Sequence, residues 1–232
     1  NFSLYYRLSR GGLRDFVQNI ELRTYAVIAL VATVVVALSL HGQVYESITD
    51  SMRYGAFQVI SVLTTTGYVT ADYTLWPALA QAVLMALMFV GACAGSTGGG
   101  VKVVRIITLF KQGANELRYL IHPRGVFPTR VGARPLKKDL LYPIAIFFYL
   151  YIAVLITTML VVASAGTDLL SAFSTALSTV GNIGPGFSMI GPQENYSHYP
   201  AGVKLFLSFS MLTGRLELYS VLVLLTPAFW RK

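Results

Sequence analysis

The sequence predicts an all-α membrane protein made of two copies of one unit: a span, a short re-entrant helix, a polar loop and a second span. Three observations predict it. Of 232 residues, 55% are hydrophobic and 12% are charged, against about 25% charged in an ordinary soluble domain. The apolar residues fall in long runs rather than at helical or strand spacing. The two halves also carry matching short segments, each placed behind a short apolar run.

The elements follow in order. Residues 1–21 read as a basic leading segment on the cytoplasmic side. Its basic part, Asn1–Arg14, has no apolar core directly behind it, so it does not read as a signal peptide. The chain opens on Asn1 rather than Met, which points to a piece of a longer protein. Apolar runs at 22–40, 76–94, 140–163 and 203–226 approach the roughly 20 helical residues that cross a bilayer. Runs at 52–64 and 169–179 are too short to cross and suit re-entrant helices. One unit therefore covers 22–101 and the other 139–230, with a basic linker at 102–138 between them.

Charge sets the orientation. Arg7, Arg10 and Arg14 precede the first run, and Arg23 sits at its edge. Lys102, Arg105, Lys111, Arg118, Arg124, Arg130, Arg134, Lys137 and Lys138 fill the linker, and Arg231 and Lys232 end the chain. The loops behind the short runs carry almost no Lys or Arg. By the positive-inside rule both termini and the linker are cytoplasmic, and both loops enter from outside. The net charge of +8 then reads as topology, with membrane lipid headgroups as a secondary partner. No basic groove with interleaved aromatics supports a nucleic-acid partner. Cys93 is the single cysteine, which excludes an intrachain disulfide and a cysteine metal site. His41, His122 and His198 are scattered without metal-ligand spacing. No nucleophile–base or paired-carboxylate arrangement is legible, so the chain does not read as an enzyme.

The chemistry rests on the matching segments. Ser61 through Tyr68 aligns with Thr175 through Asn182, which places Gly67 opposite Gly181. Non-helical backbone at membrane depth must be buried in protein or line a wet cavity. Thr65, Thr66, Gly67 and Tyr68 in one half, and Thr179, Val180, Gly181 and Asn182 in the other, offer consecutive backbone carbonyls and threonine hydroxyls. They hold no carboxylate that would trap a cation. Rings of carbonyls can replace the hydration shell of K⁺. The C-terminal end of each short helix adds partial negative charge. A threonine-rich turn that merely caps a helix is the plainer reading of one copy; two copies on the same side speak against it.

These segments, with Ile183-Gly184-Pro185-Gly186-Phe187 following the second, resemble the Trk/Ktr/HKT superfamily of potassium transport proteins. Two more stretches carry the resemblance, residues 91–100 (Gly-Ala-Cys-Ala-Gly-Ser-Thr-Gly-Gly-Gly) and Gly214-Arg215-Leu216-Glu217. It implies membrane–pore–membrane repeats, four of them around a pseudo-fourfold K⁺ channel-like pore, so that this chain supplies half. It implies K⁺ uptake across the bacterial inner membrane, a glycine-rich intramembrane loop including Gly95, Gly98, Gly99 and Gly100 that gates the pore, and Arg215 as a gating charge in the permeation path. It implies a homodimer and a cytoplasmic nucleotide-binding regulatory subunit of TrkA type. The other half of the pore comes from a missing N-terminal half or from a second copy.

Alternatives stay open at this level. The glycine run could serve close helix packing through small residues. It lacks the Gly-Lys-Ser/Thr ending of a phosphate loop and follows an apolar helix, not a strand. Arg215 could pair with an unidentified carboxylate; Glu217, two residues on, does not share its helix face. A non-conducting scaffold subunit would keep the fold and lose the pore. The residues do not specify whether Na⁺ or H⁺ accompanies K⁺.

Overall fold

The computed structural model describes residues 2–96, 98–128, 130–131, 134–135, 138–216, 218–224 and 226–231. Asn1, Thr97, Lys137, Glu217 and Lys232, all singled out above, lie outside the described residues. The chain is predominantly helical. In order come α1 (Phe2–Ser9), α2 (Leu13–Gln18), α3 (Ile20–Leu40), α4 (Ile48–Leu63), α5 (Ala78–Val90), α6 (Val103–Ile121), α7 (Lys138–Ala163), α8 (Leu169–Gly181), α9 (Ala201–Arg215), α10 (Leu218–Leu224) and α11 (Pro227–Trp230). Two short strands, β1 (Arg130–Val131) and β2 (Arg134–Pro135), pair antiparallel between α6 and α7.

Local chemistry sets the starts. The Asn19 side chain accepts the Leu22 N–H at 3.0 Å and caps α3, Ser47 caps α4, and Asp168 accepts the Ser171 N–H at 3.1 Å to cap α8. α3 and residues 141–163 of α7 are long and apolar enough to cross a membrane. Both leave large apolar side chains uncovered, among them Leu30 and Leu38 on α3 and Ile146 and Leu160 on α7. An apolar face of that kind suits hydrocarbon better than water.

Packing repeats along the chain. α3 lies along α4 and α7 along α8; α4 then meets α5, and α8 meets α9. α5 also packs on α8, which joins the two units. Gly55 of α4 sits against Val36 and the Ala37 backbone of α3, and only a minimal side chain permits that approach. The shared core includes Val36, Leu40, Val59, Leu84, Met88, Tyr151, Leu177 and Val180. Tyr73 and Phe187 meet edge to face at 5.1 Å and tie the outer loop of one unit to that of the other.

Two expectations need correction. The 76–94 run is not one helix: α5 stops at Val90, because Gly91 turns to φ 70°, and the described residues from there to Lys102 are non-helical. The 203–226 run is also broken, ending as α9 at Arg215 and resuming as α10 at Leu218. The basic 102–138 stretch contains α6 (Val103–Ile121). Its α6 packs on α3 and α7, with the Arg105 guanidinium 3.8 Å from the Phe147 ring centre.

Candidate functional site: two carbonyl-bearing loops and the glycine-rich segment beneath them

α4 and α8 each end in the protein interior and release a loop at their negative C-terminal ends. The loops share a backbone design. Thr65 and Asn182 adopt left-handed conformations at φ 54° and 55°, and Gly67 and Gly184 follow at φ 74° and 111°. Thr66 N–H reaches back to Ser61 O, and Ile183 N–H to Ser178 O, each at 2.9 Å. The Ser61 hydroxyl donates to Tyr68 O at 2.6 Å. The Ser178 hydroxyl shares its proton between Gly184 O and Pro185 O, at 2.7 and 3.1 Å.

That agreement fixes the register. Ser61 matches Ser178, Thr65 matches Asn182, and Gly67 matches Gly184, not Gly181. The expected alignment is therefore corrected. Thr179, Val180 and Gly181 form the last turn of α8, and all are buried. The Thr179 hydroxyl donates to Thr175 O at 2.7 Å within its own helix. Asn182 alone of the four residues expected there lies in the loop. Sequence reasoning missed Ile183 and Gly184 as loop counterparts of Thr66 and Gly67. The signal was present in Asn182, a residue type that tolerates the left-handed conformation that closes a helix.

In the first loop Thr65, Thr66, Gly67 and Tyr68 stand together as expected. Among the described residues, no group donates a hydrogen bond to the carbonyls of Thr64, Thr65, Thr66 and Gly67, or to those of Asn182 and Ile183. Those of Tyr68 and Gly184 are engaged, the latter also by the Tyr196 hydroxyl at 2.6 Å. Unspent carbonyls beside a helix C-terminus favour a cation. The loops also touch. A methyl on Gly67 would collide with Ile183 O and lie 3.0 Å from Pro185 Cδ.

A row of hydroxyls on α8 holds the second loop. Ser178 also accepts the Gly184 N–H at 3.2 Å, Ser174 accepts the Phe187 N–H at 2.6 Å, and Ser171 accepts the Met189 N–H at 3.2 Å. Ser178 is fully buried, so its loss leaves buried groups unpaired at about 1–3 kcal/mol. Ser178→Ala is expected to lower thermal stability in detergent, read by melting curves, and an unchanged melting temperature would mean that the loop is held by its other contacts.

The glycine-rich segment lies directly against both loops. Gly91, Gly95 and Gly100 have φ of 70°, 69° and 79°. A methyl on Gly98 would lie 2.5 Å from Ala92 Cβ and 3.0 Å from Thr65 Oγ1. One on Gly99 would strike Gly181 O and approach Asn182 Cβ to 3.3 Å. Gly100 folds back on Gly91, where a methyl would sit 2.9 Å from its Cα. From the other side, Gly214 presses on Val180 O, and Asn182 Nδ2 donates to Met211 O at 2.9 Å. Arg215 ends α9 at this point with an exposed side chain. No group of three or more His, Cys, Asp or Glu that could hold a metal ion occurs among the described residues.

Comparison with known proteins agrees with this architecture. The family profile described as "TrkH: Cation transport protein" matches residues 6–232. The chain is 37% identical over 234 residues to the Trk system potassium uptake protein TrkH of Salmonella typhimurium, covering 100% of this chain and 48% of the relative. It is 33% identical over 233 residues to the Trk system potassium uptake protein TrkG of Escherichia coli, covering 100% and 47%. The crystal structure of the potassium transporter TrkH from Vibrio parahaemolyticus superposes with a TM-score of 0.91 at 37% identity, covering 100% of this chain and 50% of that one. The chain thus spans about half the length of the curated relatives it matches.

Proposed function

The chain belongs to the TrkH family of cation transport proteins, and from that premise we propose that it supplies two of four membrane–pore–membrane repeats around a K⁺-conducting pore. The observation that carries the reading is the pair of loops. Each leaves the C-terminal end of a short helix through one left-handed residue and one positive-φ glycine, with carbonyls left unspent beside it. The K⁺ ligands in this reading are the carbonyls of Thr65, Thr66 and Gly67 in one repeat and of Asn182 and Ile183 in the other. Thr66, Tyr68 and Gly184 are exposed in this chain, where two further repeats would close the ring. Those repeats come from the remaining half of a full-length protein.

The whole assembly sits in the bacterial inner membrane with both termini and the 102–138 segment cytoplasmic. It is a homodimer of pores, and a nucleotide-binding subunit of TrkA type docks on the inner face. The named activities of the relatives, potassium uptake and potassium transport, support the choice of ion. The glycine-rich loop at 91–100 is the gate, since its glycines seat against Thr65, Gly181 and Asn182.

Rubidium uptake into liposomes by the full-length protein, competed by external K⁺, tests the reading. A correctly assembled protein that takes up no rubidium would favour a non-conducting scaffold. The same assay weighs Arg215. At an effective dielectric near 20 a like charge near the ion path costs on the order of 1–2 kcal/mol, so Arg215→Ala is expected to raise uptake about fivefold or more. Unchanged uptake would reduce Arg215 to packing at the break between α9 and α10.

A further inference from the structure

We infer that Glu21 is the latch that holds the glycine-rich segment in its seat, a positioning residue for the gate that rests on the pore reading above. Glu21 lies in the first turn of α3, yet its side chain is buried, with 6% exposure. Its Oε1 accepts the Ala94 N–H at 2.6 Å, across 73 residues of chain. Hydrogen bonds to an ionised acceptor are shorter and stronger than neutral ones. A carboxylate taken out of water is costly without such a donor.

The position of that donor gives the bond its meaning. Ala94 sits midway between Gly91, where α5 ends, and Gly98 and Gly99, which press on the two loops. Two other hydrogen bonds lie within the segment, Ser96 N–H to Cys93 O at 3.2 Å and Lys102 Nζ to Ser96 O at 3.3 Å, and travel with it when it moves; a third, Val103 N–H to Ala92 O at 3.3 Å, ties its beginning to the start of α6, the element that directly follows it. The contacts of Gly98 and Gly99 with the loops are contacts of shape. Glu21 joins the segment to a different helix, and leaving the seat strips the carboxylate of its donor. That asymmetry favours the seated position.

A carboxylate in a first turn can also serve its own helix through the dipole. Such a residue needs only its charge, and no partner on another element. The two roles separate by substitution. Glu21→Gln keeps the length and an accepting carbonyl oxygen but loses the charge. Glu21→Asp keeps the charge at the helix start but withdraws the oxygen by one methylene.

The test uses the full-length protein in liposomes, with every cysteine other than Cys93 replaced by serine. Cys93 lies next to Ala94 and is half-buried. Its maleimide labelling rate reads whether the segment is seated, and rubidium uptake reads whether the gate is closed. Glu21→Asp keeps the neighbouring charge, so its labelling rate is compared with the parent's at one pH, while Glu21→Gln, which removes that charge and with it alters the thiolate's reactivity, is judged by uptake. The latch predicts that Glu21→Asp speeds both labelling and uptake by about tenfold, the weight of one charged hydrogen bond, while Glu21→Gln, which keeps a neutral bond, speeds them by no more than about threefold. Glu21→Gln disturbed and Glu21→Asp unaffected would overturn the latch in favour of the dipole role. Labelling that changes in a protein that takes up no rubidium would sink the pore reading and leave the latch. Normal uptake with labelling unmoved by Glu21→Asp would do the reverse.

Discussion

Gly67→Ala is expected to cut rubidium uptake by the full-length protein about tenfold or more and to erode its preference for K⁺ over Na⁺. Two costs add at this position. The residue sits at φ 74°, a conformation that costs an L side chain roughly 1–2 kcal/mol. The new methyl also meets the Ile183 carbonyl oxygen, a backbone atom of the neighbouring loop. Backbone cannot swing aside as a flexible side chain does, so one loop must shift and its carbonyls lose their aim. Since about 1.4 kcal/mol is tenfold in an equilibrium, the strain alone suffices for the loss. Gly184→Ala should show a related but milder defect. It shares the left-handed strain at φ 111°, but a methyl there meets nothing within 4 Å. Gly181→Ala should be tolerated, because Gly181 is helical and its methyl would face the Ile183 side chain at 3.2 Å, while alanine favours a helix by about 1 kcal/mol. Competition uptake by the three variants checks the order. A severe Gly181→Ala with a harmless Gly184→Ala would restore the alignment that the backbone overturns.

That alignment shows where the sequence stops being sufficient. Leu-Thr-Thr-x-Gly and Leu-Ser-Thr-Val-Gly look alike in composition and order, so the eye pairs Gly67 with Gly181. The structure decides by where each helix stops. α4 yields at Leu63 and lets Thr65 turn left-handed, a conformation with no special appeal for threonine. α8 runs on through Thr179, Val180 and Gly181, which are buried among α5, α9 and the glycine-rich segment, and turns only at Asn182. Tertiary contact, not local preference, sets that difference. Hydropathy misled in a related way. The runs at 76–94 and 203–226 measure apolar composition, which continues past Gly91 and Arg215, whereas helical hydrogen bonding does not. Much was legible nonetheless. The overall helical class, the pairing of a long helix with a short one in each half and the loop at 65–68 follow from run length and residue type. The bond from Glu21 to Ala94 has no local signature, because its partners are brought together only by the packing of α3 beside the segment.

Gly99→Ala is expected to unseat the gate and raise resting rubidium uptake about tenfold, with the protein still folded. The argument rests on which atoms would collide. A methyl on Gly99 strikes Gly181 O and lies 2.8 Å from Gly181 C, and Gly181 belongs to the last turn of a helix packed on α5, α7 and α9. The segment carrying Gly99 is the softer partner. It leaves helix at Gly91, regains it at Val103, and turns through positive φ at Gly91, Gly95, Gly100 and Lys102. The collision is therefore relieved by the segment withdrawing from the loops, not by α8 bending. If the segment blocks the path when seated, withdrawal opens it, and a clash worth about 1–3 kcal/mol shifts the seated population by about five- to a hundredfold. Gly113→Ala serves as the control: Gly113 lies in α6 with nothing within 4 Å of an added methyl, so uptake should not change. Gly99→Ala that lowers uptake, while size-exclusion profiles stay normal, would mean that the glycines seat a structural floor for the carbonyl loops, and that the gate lies elsewhere.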